Sequence, residues 1–273
     1  MPTSVSSSWL RGFGPRAPGA LARVICFPHA GGTAGAFRRL AQLLAPRVEV
    51  LAVQYPGRQD RYDDPLIADM ADLAEAISTA VADELTPHTA FLGHSLGATV
   101  AYETARRLRP RYPSPLAGLI VSARKAPHAG APLGLAYEPD EVRSIVDHLG
   151  GQGSELLRDP ELWSVALPVL RNDFLLAEHY RHTPGPPLAC PITAVVAADD
   201  TAFTEADAAA WGGHTMAGFA VRVLPGGHFY FEERPEDLAG LIVEALGVVD
   251  ALDVPDVPDA PDALDAPSNG RKS

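Results

Sequence analysis

A serine lies between two glycines in the segment FLGHSLGATV, residues 91–100. The pattern GHSLG (93–97) follows an apolar run and precedes a stretch of small residues. In a sharp turn from a strand into a helix, such glycines relieve crowding and expose the serine hydroxyl. Because the pattern is short enough to occur by chance, Ser95 could equally be a structural turn residue. The assignment of Ser95 as a nucleophile therefore depends on finding a base and an acid elsewhere in the chain.

Two later segments supply an acid and a base in the required order. VVAADDTAF (195–203) ends a predicted strand with Asp199 and Asp200, and VLPGGHFYF (223–231) ends the next strand with His228. Both strand ends can meet at the edge of the sheet where Ser95 lies. His228 would take the serine proton and return it to the leaving group, and the aspartate would orient the imidazole. We favour Asp200 as the acid because it lies further from the strand end, at the turn.

The oxyanion of a tetrahedral intermediate needs backbone N–H donors. We assign one donor to the amide of Leu96, and the other to the amide of Ala30 in the glycine-containing loop FPHAGG (27–32). His94 is adjacent to the nucleophile, so its side chain is expected to point elsewhere. His29 is expected to shape the oxyanion loop rather than to act as the base.

Short apolar runs alternate with longer amphipathic stretches between residues 22 and 247. This alternation predicts an α/β fold, a mostly parallel sheet with helices on both faces. The nearly continuous apolar character of the strands is typical of strands covered on both faces; they are residues 22–27, 48–53, 89–93, 118–123, 192–198 and 219–224. Helix signals predict three further segments, from Asp64-Pro65 to Leu85, from Leu96 to Arg109 before Pro110, and from Pro235 to Leu246.

About 65 residues separate two of the predicted strands, far more than one crossover helix requires. Pro139 begins one amphipathic pattern that ends at Gly150, and residues 160–182 form another, with an expected kink at Pro168. We predict a helical lid over about 126–188, covering the carboxyl edge of the sheet. The predicted domain spans 1–249.

Composition limits the class of protein. Hydrophobic residues make up 47% and charged residues 21% of the 273 residues, which is ordinary for a soluble globular protein. A net charge of −12 disfavours a nucleic-acid partner, and neither a membrane span nor a secretory signal is recognisable, so we expect a cytoplasmic protein. Cys26 and Cys190 are expected to be buried and reduced, and no metal-ligand spacing is present. Residues 250–273 repeat Asp and Pro and are predicted to form a disordered acidic tail.

Several motifs in register resemble the type II thioesterases of polyketide synthase and nonribosomal peptide synthetase systems. They are WLRGF, CFPHAGG, VQYPGR, FLGHSLGA, SARKAP, RNDFLLAEHY, PITAVVAADD and LPGGHFYF. The resemblance implies an α/β-hydrolase fold and an enzyme that removes wrong acyl groups from the phosphopantetheine arm of acyl or peptidyl carrier proteins, with no cofactor of its own. The resemblance also implies that Ser95 is the nucleophile that forms the acyl-enzyme, Asp200 the orienting acid and His228 the base.

Two groups of residues could serve such a substrate. Trp163, Phe174 and Leu175 could shelter an acyl chain, or could equally be packing residues of the lid. An acidic enzyme that meets an acidic carrier protein also needs a basic surface, for which the candidates are Arg58, Arg61, Arg124, Lys125 and Arg181. We expect the protein to act as a monomer.

Two other functions remain open at this point. One is a different serine esterase or acyltransferase on the same fold, which would prefer oxygen esters. The other is a catalytically silent module that binds carrier proteins, which would lack a member of the triad.

Overall fold

Seven strands form a single sheet in the order β1-β3-β2-β4-β5-β6-β7. This computed structural model describes residues 8–14, 19–108 and 115–248, with only the backbone described at 152 and 156. All neighbouring strands are parallel except β1 and β3, which confirms the predicted mostly parallel sheet. The strands are β1 (Leu10–Gly12), β2 (Ala22–Phe27), β3 (Val48–Val53), β4 (Thr89–His94), β5 (Gly118–Ser122), β6 (Ile192–Ala197) and β7 (Phe219–Leu224).

The strand register brings the chemically important segments to one edge of the sheet. Gly93 near the end of β4 lies opposite Phe27 at the end of β2, and His94 lies opposite Ser122 at the end of β5. Ala197 at the end of β6 lies opposite Leu224 at the end of β7. Because these strands are parallel, the loops that follow them leave from the same carboxyl edge.

Helices cover both faces of the sheet, as predicted. The helices are α1 (Arg38–Leu44), α2 (Met70–Val81), α3 (Leu96–Arg107), α4 (Pro139–Leu149), α5 (Gln152–Leu156), α6 (Pro160–His179), α7 (Glu205–Ala209), α8 (Tyr230–Glu233) and α9 (Pro235–Ala245). Consecutive residues of β4 belong to different apolar clusters: Phe91 belongs to the cluster that contains Ile77 of α2, and Leu92 to the cluster that contains Ile242 of α9.

The predicted start of the second helix is wrong. Helix α2 begins at Met70, because the side chain of Asp69 accepts hydrogen bonds from the amides of Ala71 and Asp72. Asp64 instead pairs with Arg61 at 2.6 Å. The predicted helices α3 and α9 are confirmed, whereas Arg109 and Pro110 lie outside the described residues.

Other elements also differ from the sequence prediction. The short strand β1 and the helix α1 carry too few periodic residues to be recognised from pattern alone. Strand β7 is an edge strand, and its Phe219 and Val223 are exposed rather than covered on both faces. The apolar composition of β7 therefore does not show that this strand is covered on both faces.

The helices α4, α5 and α6 lie between β5 and β6 and are called the helical insertion below. Helix α4 begins at Pro139 as predicted, with a capping box between Glu138 and Glu141, and α6 continues through Pro168. Tyr137, Val142 and Leu170 form a separate apolar cluster within this region. The function of the insertion as a lid remains a prediction.

Other expectations concern the whole chain. Cys26 and Cys190 are both buried, as predicted. Among the described helices, none is both long enough and apolar enough to cross a membrane. The acidic segment 250–273 and the domain boundary at 249 lie outside the described residues.

Candidate active site

Ser95 occupies the single residue between β4 and α3. Its backbone angles are φ 52° and ψ −121°, a left-handed conformation that costs a non-glycine residue about 1–3 kcal/mol. The amide of Ser95 donates to the carbonyl of Ser122 at the end of β5, over 2.8 Å, which holds the turn against the sheet. The predicted strand–turn–helix arrangement is confirmed, and the side chain of Ser95 is partly exposed.

The two flanking glycines are required by close backbone approaches. A Cβ atom on Gly97 would lie 2.0 Å from the carbonyl oxygen of Phe27, and one on Gly93 would lie 2.3 Å from the carbonyl oxygen of Gly97. Both distances are far shorter than any van der Waals contact. The glycines therefore allow α3 to start directly against β2 and β4.

His228 and Asp200 form a buried pair after β7 and β6. Nδ1 of His228 lies 2.7 Å from Oδ2 of Asp200, and Oδ1 of Asp200 accepts from the amide of Ala202 at 2.9 Å. Asp199 is exposed, and its amide binds the carbonyl of Gly226. Of the two candidate aspartates, the structure thus places Asp200 against the imidazole.

The environment of Asp200 favours its ionised form. Burial by itself would raise the pKa of this carboxyl, but the hydrogen bond and charge of His228 and the amides of Ala202 and Phe203 outweigh it, so the pKa lies below its ordinary value. A carboxylate at this position holds the proton of the imidazole on Nδ1. Nε2 of His228 is then the nitrogen that can accept a proton; it is buried and makes no hydrogen bond to any described residue.

Ser95 and His228 line the same cavity, which has a volume of about 660 Å³. Its walls come from the carboxyl edge of the sheet and from the helical insertion, and apolar surface predominates. The wall residues include Thr99, Ala126, Pro127, Tyr137, Ile145, Leu149, Phe174, Ala177 and Phe203. A cavity of this size and character suits an acyl group.

Only one of the three aromatic and aliphatic lid candidates lines this cavity. Phe174 is on its wall, stacked against Tyr137. Trp163 and Leu175 instead pack on the apolar cluster of the insertion, and Trp163 lies under the guanidinium of Arg143. Trp163 and Leu175 are therefore packing residues of the helical insertion, which was the alternative interpretation of these side chains.

The two predicted oxyanion donors belong to different segments of the chain. Leu96 is the first residue of α3, so its N–H has no partner within the helix. Ala30 lies inside a turn closed by the hydrogen bond from the amide of Gly32 to the carbonyl of His29, at 2.9 Å. Among the described residues the amide of Ala30 has no acceptor. The donor roles of both amides remain predictions.

A buried polar chain next to the site was not predicted. Nδ1 of His94 is 2.9 Å from Oγ of Ser122, which is also 2.9 Å from the hydroxyl of Tyr230. The ring of His94 packs 5.1 Å from that of His228. Burial, with the neighbouring His228 and His29, lowers the pKa of His94 well below its ordinary value. His94 is thus neutral, and its ring packs against that of His228.

His29 is also held neutral. Burial, followed by the charges of His228 and Arg58, lowers its pKa to about 3. Its ring packs edge-on against Phe229 at 4.8 Å, and its carbonyl closes the turn that contains Ala30. These contacts agree with a shaping role in the loop.

The basic surface proposed for a carrier protein is smaller than predicted. The prediction that Arg58 belongs to this surface is wrong, because its side chain is buried and paired with Asp173. Arg61 packs its guanidinium over the ring of Trp9, 4.1 Å from the ring centroid. Lys125 and Arg181 are exposed, and Arg124 lies on the cavity wall.

Helix α6 and Tyr180, the residue that follows it, make polar contacts that the sequence analysis missed. Glu178 accepts from the amides of Leu133 and Gly134 and from the hydroxyl of Tyr137, and Tyr180 donates to Glu103 of α3 at 2.8 Å. The signal was available in the motif RNDFLLAEHY, whose carboxylates are too many for a purely apolar packing helix. Within the described part of the chain, no group of three His, Cys, Asp or Glu side chains could hold a metal ion.

Comparison with known proteins agrees with this geometry. The model of the thioesterase domain family matches residues 22–246. Thioesterase PikA5 of Streptomyces venezuelae is 40% identical over 249 residues, covering 90% of this chain and 88% of PikA5. The type II thioesterase BorB from the borrelidin biosynthetic cluster superposes with a TM-score of 0.81 at 39% identity, covering 89% of this chain and all of BorB.

A second solved structure supports the same conclusion. The RedJ thioesterase from the prodiginine pathway of Streptomyces coelicolor has a TM-score of 0.75 at 37% identity, covering 82% of this chain and 91% of RedJ. The predicted resemblance to type II thioesterases and the α/β-hydrolase fold are thereby confirmed. The chain belongs to the thioesterase family.

Proposed function

We propose that this protein hydrolyses acyl thioesters on the phosphopantetheine arm of acyl or peptidyl carrier proteins in polyketide or nonribosomal peptide biosynthesis. The observation that carries the proposal is the hydrogen bond between His228 and Asp200 beside a cavity that Ser95 also lines. We expect it to act in the cytoplasm as a monomer and without a cofactor of its own.

In the proposed reaction, Oγ of Ser95 attacks the thioester carbonyl and its proton passes to Nε2 of His228. The oxyanion is stabilised by the amides of Leu96 and Ala30. The carbon–sulfur bond then breaks, and the imidazolium returns the proton to the pantetheine sulfur. Water gives a proton to the same nitrogen as its oxygen attacks the acyl-serine ester. The bond between the acyl carbon and Oγ then breaks, the imidazolium returns the proton to Oγ of Ser95, and the carboxylic acid is released. Asp200 keeps the imidazole oriented in both halves of the reaction.

The test is mass spectrometry of the intact protein after brief mixing with acyl-pantetheine thioesters. We expect an acyl adduct on Ser95 and release of free pantetheine thiol. Ser95→Ala removes both, whereas Ser164→Ala, which changes an exposed serine on α6, alters neither.

The alternative function of an oxygen esterase is tested by a second measurement, of hydrolysis rates. The rates for thioesters and for oxygen esters of the same acids are compared at equal acyl length. A clear preference for oxygen esters, or turnover that survives Ser95→Ala, would contradict the proposal.

A further inference from the structure

The loop 28–34, which contains Ala30, is called the oxyanion loop here. Polar groups from the segment after β3 bind it at three points: the hydroxyl of Tyr55 donates to the carbonyl of Pro28, Nη1 of Arg58 donates to the carbonyl of Gly32, and the amide of Ala34 donates to the side chain of Gln54. These contacts fix both ends of the loop. The middle of the loop, where Ala30 and Gly31 lie, is bound by a different part of the molecule.

That contact comes from Asp173 in helix α6. Oδ2 of Asp173 accepts from the amide of Gly31 at 2.8 Å and from Nη1 of Arg58 at 2.7 Å, and Oδ1 accepts from Nη2 of Arg58 at 3.0 Å. Both side chains are buried, with 3% of Asp173 and 6% of Arg58 exposed. The carboxylate therefore ties the helical insertion to the middle of the loop.

This bond constrains the peptide groups around Ala30. Gly31 has a φ of +73°, so the chain turns sharply at the residue that Asp173 holds. A carboxylate fixed by a bidentate guanidinium has little freedom to rotate. The peptide between Ala30 and Gly31 is consequently held in place. The preceding peptide, which carries the amide of Ala30, is held through its own carbonyl, that of His29, which accepts from the amide of Gly32 at 2.9 Å. Donors in an oxyanion hole act through such fixed orientation, because they need not reorganise during the reaction.

We propose that Asp173 is a positioning residue that orients the amide of Ala30 and makes a complete oxyanion hole depend on the docked position of α6. The inference rests on the proposed function, in which that amide is an oxyanion donor. It gives the buried ion pair of Asp173 and Arg58 a role in catalysis rather than in stability alone.

The test uses two altered proteins. Asp173→Asn removes the charge of the carboxylate. The double variant Arg58→Met, Asp173→Leu replaces the pair with apolar side chains of similar size, a change that buried ion pairs often tolerate without loss of stability. The control is Arg171→Gln on α6, which removes an exposed ion pair between Arg171 and Glu138 at the start of α4.

The first measurement is the rate at which an alkyl fluorophosphonate phosphonylates Ser95 with loss of fluoride, because its phosphoryl oxygen occupies the oxyanion hole. We expect both variants to react at least about tenfold and up to about a hundredfold more slowly, approaching the loss for one missing oxyanion donor. The control keeps the parental rate. A merely structural role would lower the fraction of protein that reacts, not the rate constant of the folded fraction.

The second measurement is steady-state hydrolysis of an acyl-pantetheine. We expect kcat to fall by the same factor as the labelling rate, with KM changed less than threefold. A folded double variant that is labelled at the parental rate would overturn the inference. If the parent is labelled but hydrolyses no acyl-pantetheine, the proposed function is wrong, and the labelling rates still decide the role of Asp173.

Discussion

Nδ1 of His228 lies 2.7 Å from Oδ2 of Asp200, and both side chains are almost fully shielded from solvent. Because this bond keeps the proton on Nδ1, its loss would leave the imidazole free to adopt the wrong tautomer. We expect Asp200→Asn to lower kcat for acyl-pantetheine hydrolysis by about 10⁴-fold, the loss seen for this change in serine proteases. Steady-state kinetics on the purified protein measures it.

The matched control for this prediction is the neighbouring carboxylate. Asp199 is exposed, so Asp199→Asn should leave kcat within about twofold of the parent. The opposite pattern, with Asp199 essential and Asp200 dispensable, would contradict the assignment.

Gly97→Ala tests the close approach at the start of α3. The new Cβ would meet the backbone oxygens of Phe27 at 2.0 Å and Pro28 at 2.6 Å, and neither can move without disturbing β2. We expect the free energy of unfolding to fall by about 3 kcal/mol or more, measured by urea denaturation.

Gly240→Ala on α9 is the control for that substitution. No atom outside its own helix backbone lies within 4 Å of the position that its Cβ would take. Since alanine favours helix over glycine, this variant should be unchanged or more stable by up to about 1 kcal/mol. Equal destabilisation of both variants would show that the contact at Gly97 has no special effect.

Ile145→Ala should change the preferred acyl length. Ile145 lies on the α4 wall of the cavity, and truncation of its side chain leaves room for about two further methylenes. At roughly 0.8 kcal/mol per buried methylene, kcat/KM for acyl chains longer by two methylenes should rise about fifteenfold relative to acetyl. A series of acyl-pantetheines of increasing length measures the change.

The control for Ile145 is Val165→Ala on α6, which truncates an exposed side chain. It should leave the profile of kcat/KM against acyl length unchanged. Identical profiles for the parent and Ile145→Ala would place the acyl chain elsewhere.

His214 should make the stability of the protein depend on pH. It is buried between Tyr102 and His128, with hydrogen bonds of 2.8 Å and 2.7 Å. Burial first, and then the charges of His128 and His182, lower its pKa to about 4. Below pH 6.5 the unfolded chain binds a proton that the folded protein does not, so the free energy of unfolding declines as the pH falls from 6.5 towards 4 and is constant above that range.

The variant His214→Gln tests this dependence. One histidine contributes a slope of at most about 1.4 kcal/mol per pH unit, and the variant should lose that contribution between pH 6.5 and 4. The slopes from His29 and His94, whose pKa values are also lowered, should remain. Urea denaturation at pH 7.5, 6 and 5 measures the slopes, and unchanged slopes would contradict the prediction.

The sequence predicted the parts of the site that lie next to strand ends. Ser95, Asp200 and His228 each follow an apolar run, and the parallel connection rule brings such ends together. It could not predict the pairing of Arg58 with Asp173, because 115 residues separate them and no local pattern joins them. It placed Arg58 on the surface for the same reason.

Local chemistry explains the errors in the fold. Asp64-Pro65 is a valid helix start, but Asp64 pairs with Arg61 and Asp69 caps α2 through two amides, and the local pattern does not distinguish between the two aspartates. The apolar composition of β7 suits an interior strand. In the described sheet β7 pairs with β6 on one side and with no strand on the other, and this long-range arrangement cannot be inferred from local composition.

Helix α6 and Tyr180, the residue that follows it, hold three separate segments: Asp173 holds the oxyanion loop, Glu178 the residues around Gly134, and Tyr180 holds α3. Asp173 and Glu178 lie on one helix and Tyr180 directly follows it, so inserting or deleting a residue between Asp173 and Tyr180 would displace at least one of these contacts. Chimaeras that exchange specificity between relatives should therefore be joined upstream, with 139–158 taken from the donor and 159–182 kept from the recipient.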